Sequence, residues 1–185
     1  QAARDAISEL ERLRDTPEAA FGLRWGYEKI DHVLGGSKPG DLVVLAARPA
    51  MGKTTLMLNM AANMSTAGAA GLVLELEMST RQLVMKYLAS QARVNATELS
   101  RGKFNNEDHN RMLHAIGRLG KSRLVFDETP FSSLVDLRLL ARKLKTQGQL
   151  DFVCIDYLQL MVSTRDRGNR EQEIAEISRG LKGLA

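Results

Sequence analysis

Short apolar runs alternate along this chain with longer stretches in which apolar residues recur at helical spacing. Residues 41–47, 71–77, 123–127 and 151–156 are strand-sized runs rich in Leu, Val and Ile. Between and after them, residues 53–67, 79–91, 96–101, 106–119, 132–146 and 171–184 read as helices. In the stretch 132–146, Leu134, Leu137, Ala141 and Leu144 fall on one face, and Ser132 or Ser133 serves as the cap. Before the first run, residues 27–34 form a short helix, closed by the turn signal Gly35-Gly36-Ser37-Lys38-Pro39-Gly40. Residues 2–14 read as a further helix with Ala6, Leu10 and Leu13 on one face and Ile7 adjacent. Asp15-Thr16-Pro17 ends it, because proline disfavours helix in the residue before it.

Strands alternating with helices predict an α/β fold with a mostly parallel sheet flanked by helices on both faces. Residues 1–16 are read as a linker helix that must dock its apolar stripe on its own domain or on a neighbouring subunit. Residues 17–185 are read as the core. An alternating fold would supply another strand after the last helix, so the core is expected to be truncated at its C-terminus. Residues 163–169, with two arginines, an aspartate and a glycine, read as a loop.

Composition narrows the classes. With 44% hydrophobic and 26% charged residues over 185 positions, the chain is an ordinary globular domain. No apolar run approaches a membrane span, and the first ten residues lack the apolar core of a signal peptide. The single cysteine, Cys154, excludes an internal disulfide framework and a cysteine-based metal site, and its apolar neighbours make it a small buried hydrophobe. His32, His109 and His114 show no ligand spacing. A cytosolic protein is expected. The net charge of +4 is compatible with nucleic acid nearby, but only 5% of residues are aromatic and none interleave with basic ones. No stacking platform for single-stranded bases is visible.

The chemistry concentrates where the first apolar run meets the first long helix. Ala47-Arg48-Pro49-Ala50-Met51-Gly52-Lys53-Thr54-Thr55 has the strand–loop–helix form of a phosphate loop. Backbone N–H groups from Arg48 and from Ala50 to Thr55, together with the helix N-terminus, would face a polyphosphate. Lys53 would supply charge to the β- and γ-phosphates, and the Thr54 hydroxyl would bind magnesium. Gly52 permits close approach of the backbone. The usual pattern has glycine where this chain has Ala47, and Pro49 contributes no N–H. Alone, Gly-Lys-Thr is a weak signal; its context makes it specific.

Two apolar strands end in acids. Phe152-Val153-Cys154-Ile155-Asp156 would place Asp156 on the sheet edge that carries the phosphate loop, where it can hold magnesium through water. Asp127 ends a similar run and is the rival; Asp156 is preferred because its preceding run is wholly apolar. In Leu72-Val73-Leu74-Glu75-Leu76-Glu77, Glu77 is placed to orient and deprotonate a water attacking the γ-phosphate. Glu75, on the same face by strand alternation, is read as a buried polar end of the strand or a support. Trp25 and Lys86 remain unassigned: Trp25 suits a core or interface anchor, Lys86 a solvated face near the phosphate edge.

Taken together, Ala46-Ala-Arg-Pro-Ala-Met-Gly-Lys-Thr-Thr55, Leu76-Glu-Met-Ser79 and Ile155-Asp-Tyr-Leu-Gln-Leu-Met161 resemble the motor domain of DnaB-type replicative helicases. Glu173-Ile-Ala-Glu-Ile-Ser-Arg179 and residues 22–31 are similar as well. In that family alanine at the position of Ala47 is normal. The resemblance implies a RecA-like P-loop NTPase fold and a ring of six subunits. It also implies hydrolysis of ATP with Mg2+, coupled to translocation on single-stranded DNA and unwinding of duplex. By motif, it gives Lys53 and Thr54 the phosphate and magnesium, Asp156 the magnesium-side acid, Glu77 the catalytic base, and residues 2–14 the subunit-docking linker helix. It further implies primase and helicase-loader partners, and it places the DNA-binding loops and a trans-acting arginine beyond residue 185. A RecA-like recombinase or regulatory ATPase without helicase activity is the alternative, and a catalytically silent interaction domain a third reading.

Overall fold

A computed structural model of the chain describes residues 7, 21–48, 50–128, 134–156 and 170–185. Their elements run α1 (Glu28–Leu34), α2 (Lys53–Thr66), β1 (Gly71–Glu75), α3 (Thr80–Ala92), α4 (Ala96–Ser100), α5 (Asn106–Lys121), β2 (Leu124–Asp127), α6 (Leu134–Thr146), β3 (Phe152–Asp156) and α7 (Arg170–Lys182). The described strands form one parallel sheet in the order β2-β1-β3. The register runs from Gly71↔Leu124 to Leu74↔Asp127 on one side and from Gly71↔Phe152 to Glu75↔Asp156 on the other. The C-terminal ends of the strands therefore share one edge.

β1 is buried throughout. Its side chains alternate between two cores, as a strand covered on both faces requires. Leu72 and Leu74 pack with Leu137, Ala141 and Leu144 of α6 and with Ile177 and Leu181 of α7. Val73 packs with Leu58, Ala61 and Ala62 of α2, with Leu83, Tyr87 and Leu88 of α3, and with Ala115 of α5. The Tyr87 ring meets the Phe126 ring edge-on at 5.7 Å. Layering by helices on both faces is thus the arrangement that the alternation predicts.

Helix starts are chemically marked. Ser79 precedes α3 and accepts from the Gln82 N–H, while the Gln82 side chain accepts from the Ser79 N–H. The expected helix 79–91 therefore begins at Thr80, with Ser79 as its cap. Asn105 and Asp108 form the same reciprocal pair ahead of α5.

One element departs from expectation. Residues 41–48 form no strand, and Val43, Val44 and Leu45 are exposed by 55%, 66% and 39%. A strand exists through its ladder, and among the described residues none hydrogen-bonds this segment into the sheet. Only Leu42 reaches the core from here. The apolar composition of the run reports a need for cover, which no described neighbour supplies on its outer side. The expected helix 2–14 apart from Ile7, the proline at 49, the caps Ser132 and Ser133, and the loop 163–169 lie outside the described residues.

The glycine-rich segment before the phosphate loop is fixed by Asp31. This carboxylate is 5% exposed and accepts N–H bonds from Trp25, Gly26 and Tyr27 at 2.8, 3.0 and 3.1 Å. Trp25, itself buried, offers its carbonyl to the Asn63 side-chain amide at 2.8 Å. That bond ties the segment to α2. Gly26 sits at φ 77°, where a Cβ would lie 2.4 Å from Asn63 Nδ2, so only glycine fits the approach. Trp25 is accordingly a packing anchor. Asp31→Ala is expected to strand three N–H groups and lower stability by about 2–4 kcal/mol. The shift in urea midpoint, read from the fluorescence of the single tryptophan, checks this.

Candidate nucleotide site

The loop residues Arg48, Ala50, Met51 and Gly52 lead directly into α2, whose first residue is Lys53. The N–H groups of a first helical turn have no acceptor within their own helix. No acidic residue stands in the first turn of α2 to occupy them. Gly52 caps the helix at φ 84°, and a Cβ there would meet no protein atom within 4 Å. Its glycine character thus answers to backbone conformation and to whatever approaches from outside. Ala50, a residue with a side chain, is also held at φ 64°, a conformation that costs energy and clusters at ligand-binding loops. The Met51 N–H returns to the Arg48 carbonyl at 3.3 Å, giving the loop a tight turn. Nothing in the residue types announced the strain at Ala50. Arg48, Ala50, Met51, Gly52 and Thr55 are exposed on the outer side of the loop.

Lys53 and Thr54 converge on Asp156. Lys53 Nζ lies 2.5 Å from Asp156 Oδ1, and the Thr54 hydroxyl donates to Oδ2 at 2.5 Å. Asp156 is 3% exposed and ends β3. Thr54 lies 102 positions from Asp156 in sequence, so the sheet edge brings together what the chain separates. Asp127 ends β2 on the far side of β1 and pairs with Leu74 in register. Asp156 is in contact with Lys53 and Thr54 at the start of α2.

Glu77 does not end the strand. β1 stops at Glu75, and residues 76–78 bend away. Two bonds explain the exit. The Leu76 N–H donates to the Asp156 carbonyl at 3.0 Å, the last bond between the strands. The Glu77 N–H then donates to Oε1 of the Glu75 side chain, also at 3.0 Å, in place of any sheet partner. Strand alternation therefore does not carry from Glu75 to Glu77. Glu75 is buried at 2% exposure and Glu77 is exposed, on the same sheet edge as Asp156. The chain is caught again at Thr80, whose N–H donates to the Glu128 carboxylate, a contact that sequence alone did not signal. Lys86 is exposed and touches the Met78 sulfur at 3.0 Å, so it lies beside this bend.

Burial pushes the Glu75 carboxyl above the usual carboxylate range. Its bond from the Glu77 N–H opposes the rise, and the charges of Asp156 and Glu77 add to it. Its second oxygen, Oε2, is buried without a hydrogen-bond partner among the described residues. Cys154, half-buried on β3, has its thiol pushed up to about 12 by burial. It is protonated at neutral pH and should resist alkylation in the folded protein. Iodoacetamide labelling followed by mass spectrometry is expected to modify Cys154 only after denaturation.

The donor set is oxygen-rich and hard: a hydroxyl and a carboxylate beside a lysine at a helix N-terminus. It fits a magnesium–polyphosphate complex and lacks the imidazole or thiolate of a zinc or copper site. Among the described residues no cluster of three or more His, Cys, Asp or Glu could hold a metal unaided. A site completed by the phosphates themselves is consistent with this.

Comparison with known proteins agrees with the geometry. The family described as DnaB-like helicase C terminal domain matches residues 22–185. The chain belongs to that family. The replicative DNA helicase DnaB of Geobacillus stearothermophilus is 38% identical over 178 residues, which cover 95% of this chain and 39% of that protein. The replicative DNA helicase DnaC of Bacillus subtilis (strain 168) is 36% identical over 178 residues, with the same coverage of 95% and 39%. The chain thus spans about two-fifths of the length of these curated relatives. Among solved structures, the ATPase domain of G40P aligns with TM-score 0.89 at 26% identity, covering all of this chain and 66% of that one. A DnaB-like replicative helicase, solved with its interactions with primase, aligns with TM-score 0.87 at 27% identity, covering 98% of this chain and 44% of that one. The fold is therefore that of DnaB-like helicase ATPase domains, a RecA-like α/β arrangement.

Proposed function

We propose that this DnaB-like domain is the ATP-hydrolysing motor of a hexameric replicative helicase that moves along single-stranded DNA and unwinds duplex. The single observation that carries the reading is the convergence of Lys53 and Thr54 on buried Asp156 at the mouth of the loop. Family membership narrows the class from P-loop ATPases in general to replicative helicases.

The residues divide the work by chemistry. The N–H groups around Gly52 and the N-terminus of α2 take the phosphates. Lys53 exchanges its bond to Asp156 for the β- and γ-oxygens and meets charge that grows there as the phosphoryl group transfers. Thr54 and Asp156 would hold Mg2+, the first directly and the second through water. When bound, the ion would supply positive charge against the phosphates. Glu77, exposed on the bend after β1, orients a water and accepts its proton. Primase is proposed as a partner, since one solved relative is described with its interactions with primase, and a helicase loader on the family resemblance alone.

The test uses the full-length protein. Calorimetry with Mg-ATP should show binding, single-stranded DNA should accelerate hydrolysis, and electron microscopy should show closed six-membered rings. Filaments on DNA instead of rings would favour a recombinase. The absence of binding at millimolar Mg-ATP would return the chain to a silent interaction domain.

A further inference from the structure

The geometry points to Glu75 as a positioning residue that sets where Glu77 stands. This rests on the reading of Glu77 above and adds a residue to it. Three facts carry the inference. Glu75 is the last residue of β1 and is locked in register with Asp156. Its side chain, 2% exposed, folds forward so that Oε1 takes the Glu77 N–H at 3.0 Å. The other oxygen has no hydrogen-bond partner among the described residues. A buried carboxyl kept at this cost, beside two further acids, is a poor device for stability.

Its bond falls at the one residue where the chain leaves the sheet. Leu76 is still held by Asp156, and Thr80 is already held by Glu128. Glu77 lies between these anchors, and the Glu75 oxygen takes the N–H of Glu77 itself. A base must stand within hydrogen-bond reach of the water it activates, and a displacement of about 1 Å can cost about 10²-fold in rate. The acceptor at Glu75 Oε1 couples the position of the base to β1, whose last residue pairs in register with Asp156. It makes no demand on nucleotide affinity, because the bond runs to the Glu77 N–H and involves no group of the loop.

The test compares two variants of the full-length protein with the wild type under saturating Mg-ATP and single-stranded DNA. Glu75→Gln keeps the acceptor oxygen and places an N–H where the unpartnered oxygen stands. Glu75→Met keeps the volume and removes the acceptor. Hydrolysis should slow about tenfold or more in Glu75→Met and stay within about threefold in Glu75→Gln. Nucleotide dissociation constants should stay within about twofold in both. Equal rates in the two variants, fast or slow, would overturn the inference. Glu77→Gln is run alongside: if it hydrolyses like wild type, the assignment of Glu77 itself has failed, which is a separate result. Should Glu75→Met not fold, hydrogen exchange on the wild-type domain decides. A protected Glu77 amide supports the bond, and exchange at the rate of an unstructured peptide refutes it.

Discussion

Lys53→Ala should abolish most ATP hydrolysis, by about 10²–10³-fold, and weaken nucleotide binding at the same time. In the proposed function the lysine meets the β- and γ-phosphates, so its loss would act on ground state and transition state together. A second effect separates it from an ordinary active-site deletion. In the structure Lys53 is paired with a carboxylate that is 3% exposed. Removing it leaves Asp156 with the Thr54 hydroxyl as a remaining partner. The nucleotide-free protein should therefore lose stability as well, by about 1–3 kcal/mol. That is less than for a fully buried pair, because the lysine side chain is one-third exposed. Steady-state hydrolysis, nucleotide titration and thermal unfolding without nucleotide measure the three quantities. Wild-type hydrolysis by this variant would remove the loop from the chemistry.

Glu77→Gln should show the opposite profile. Hydrolysis should fall by about 10²–10⁴-fold, the range for loss of a general base, while Mg-ATP affinity changes by no more than about threefold. Glu77 is exposed and its N–H bond to Glu75 does not involve its own side chain. Stability should therefore stay within about 0.5 kcal/mol of wild type. Single-turnover hydrolysis and calorimetry on the full-length protein separate the two readings. A variant that binds weakly but turns over normally would mean that Glu77 is a ligand contact and no base.

Much of this architecture was legible in the residues, for reasons that can be named. The strand–helix alternation is a direct print of a sheet covered on both faces, and β1 shows why: Leu72, Val73 and Leu74 serve two cores in turn. The start of α3 was placed to within one residue from periodicity alone, and the structure shows the Ser79–Gln82 capping box that fixes it. Asp156 was preferred over Asp127 because its preceding run is wholly apolar, and the structure buries it against Lys53 and Thr54. What was not legible depends on neighbours. Residues 41–47 have the composition of a buried strand, but a ladder requires a second chain segment in register, which composition cannot report. The end of β1 was misplaced by two residues because the Glu75 side chain intercepts the next N–H. That is a choice between side-chain and backbone acceptors which periodicity does not see. The left-handed Ala50 was hidden for a similar reason. Its residue type argues against the conformation that the surrounding loop imposes.

The contact between Lys53 and Asp156 also bears on turnover. An empty loop that satisfied neither charge would bind any polyanion and release it reluctantly. Here the protein carries its own rival for the lysine, a carboxylate oxygen 2.5 Å away. On the proposed function, once the terminal phosphate had gone and the remaining ligand held less charge, that rival would reclaim its partner and favour release of the spent nucleotide.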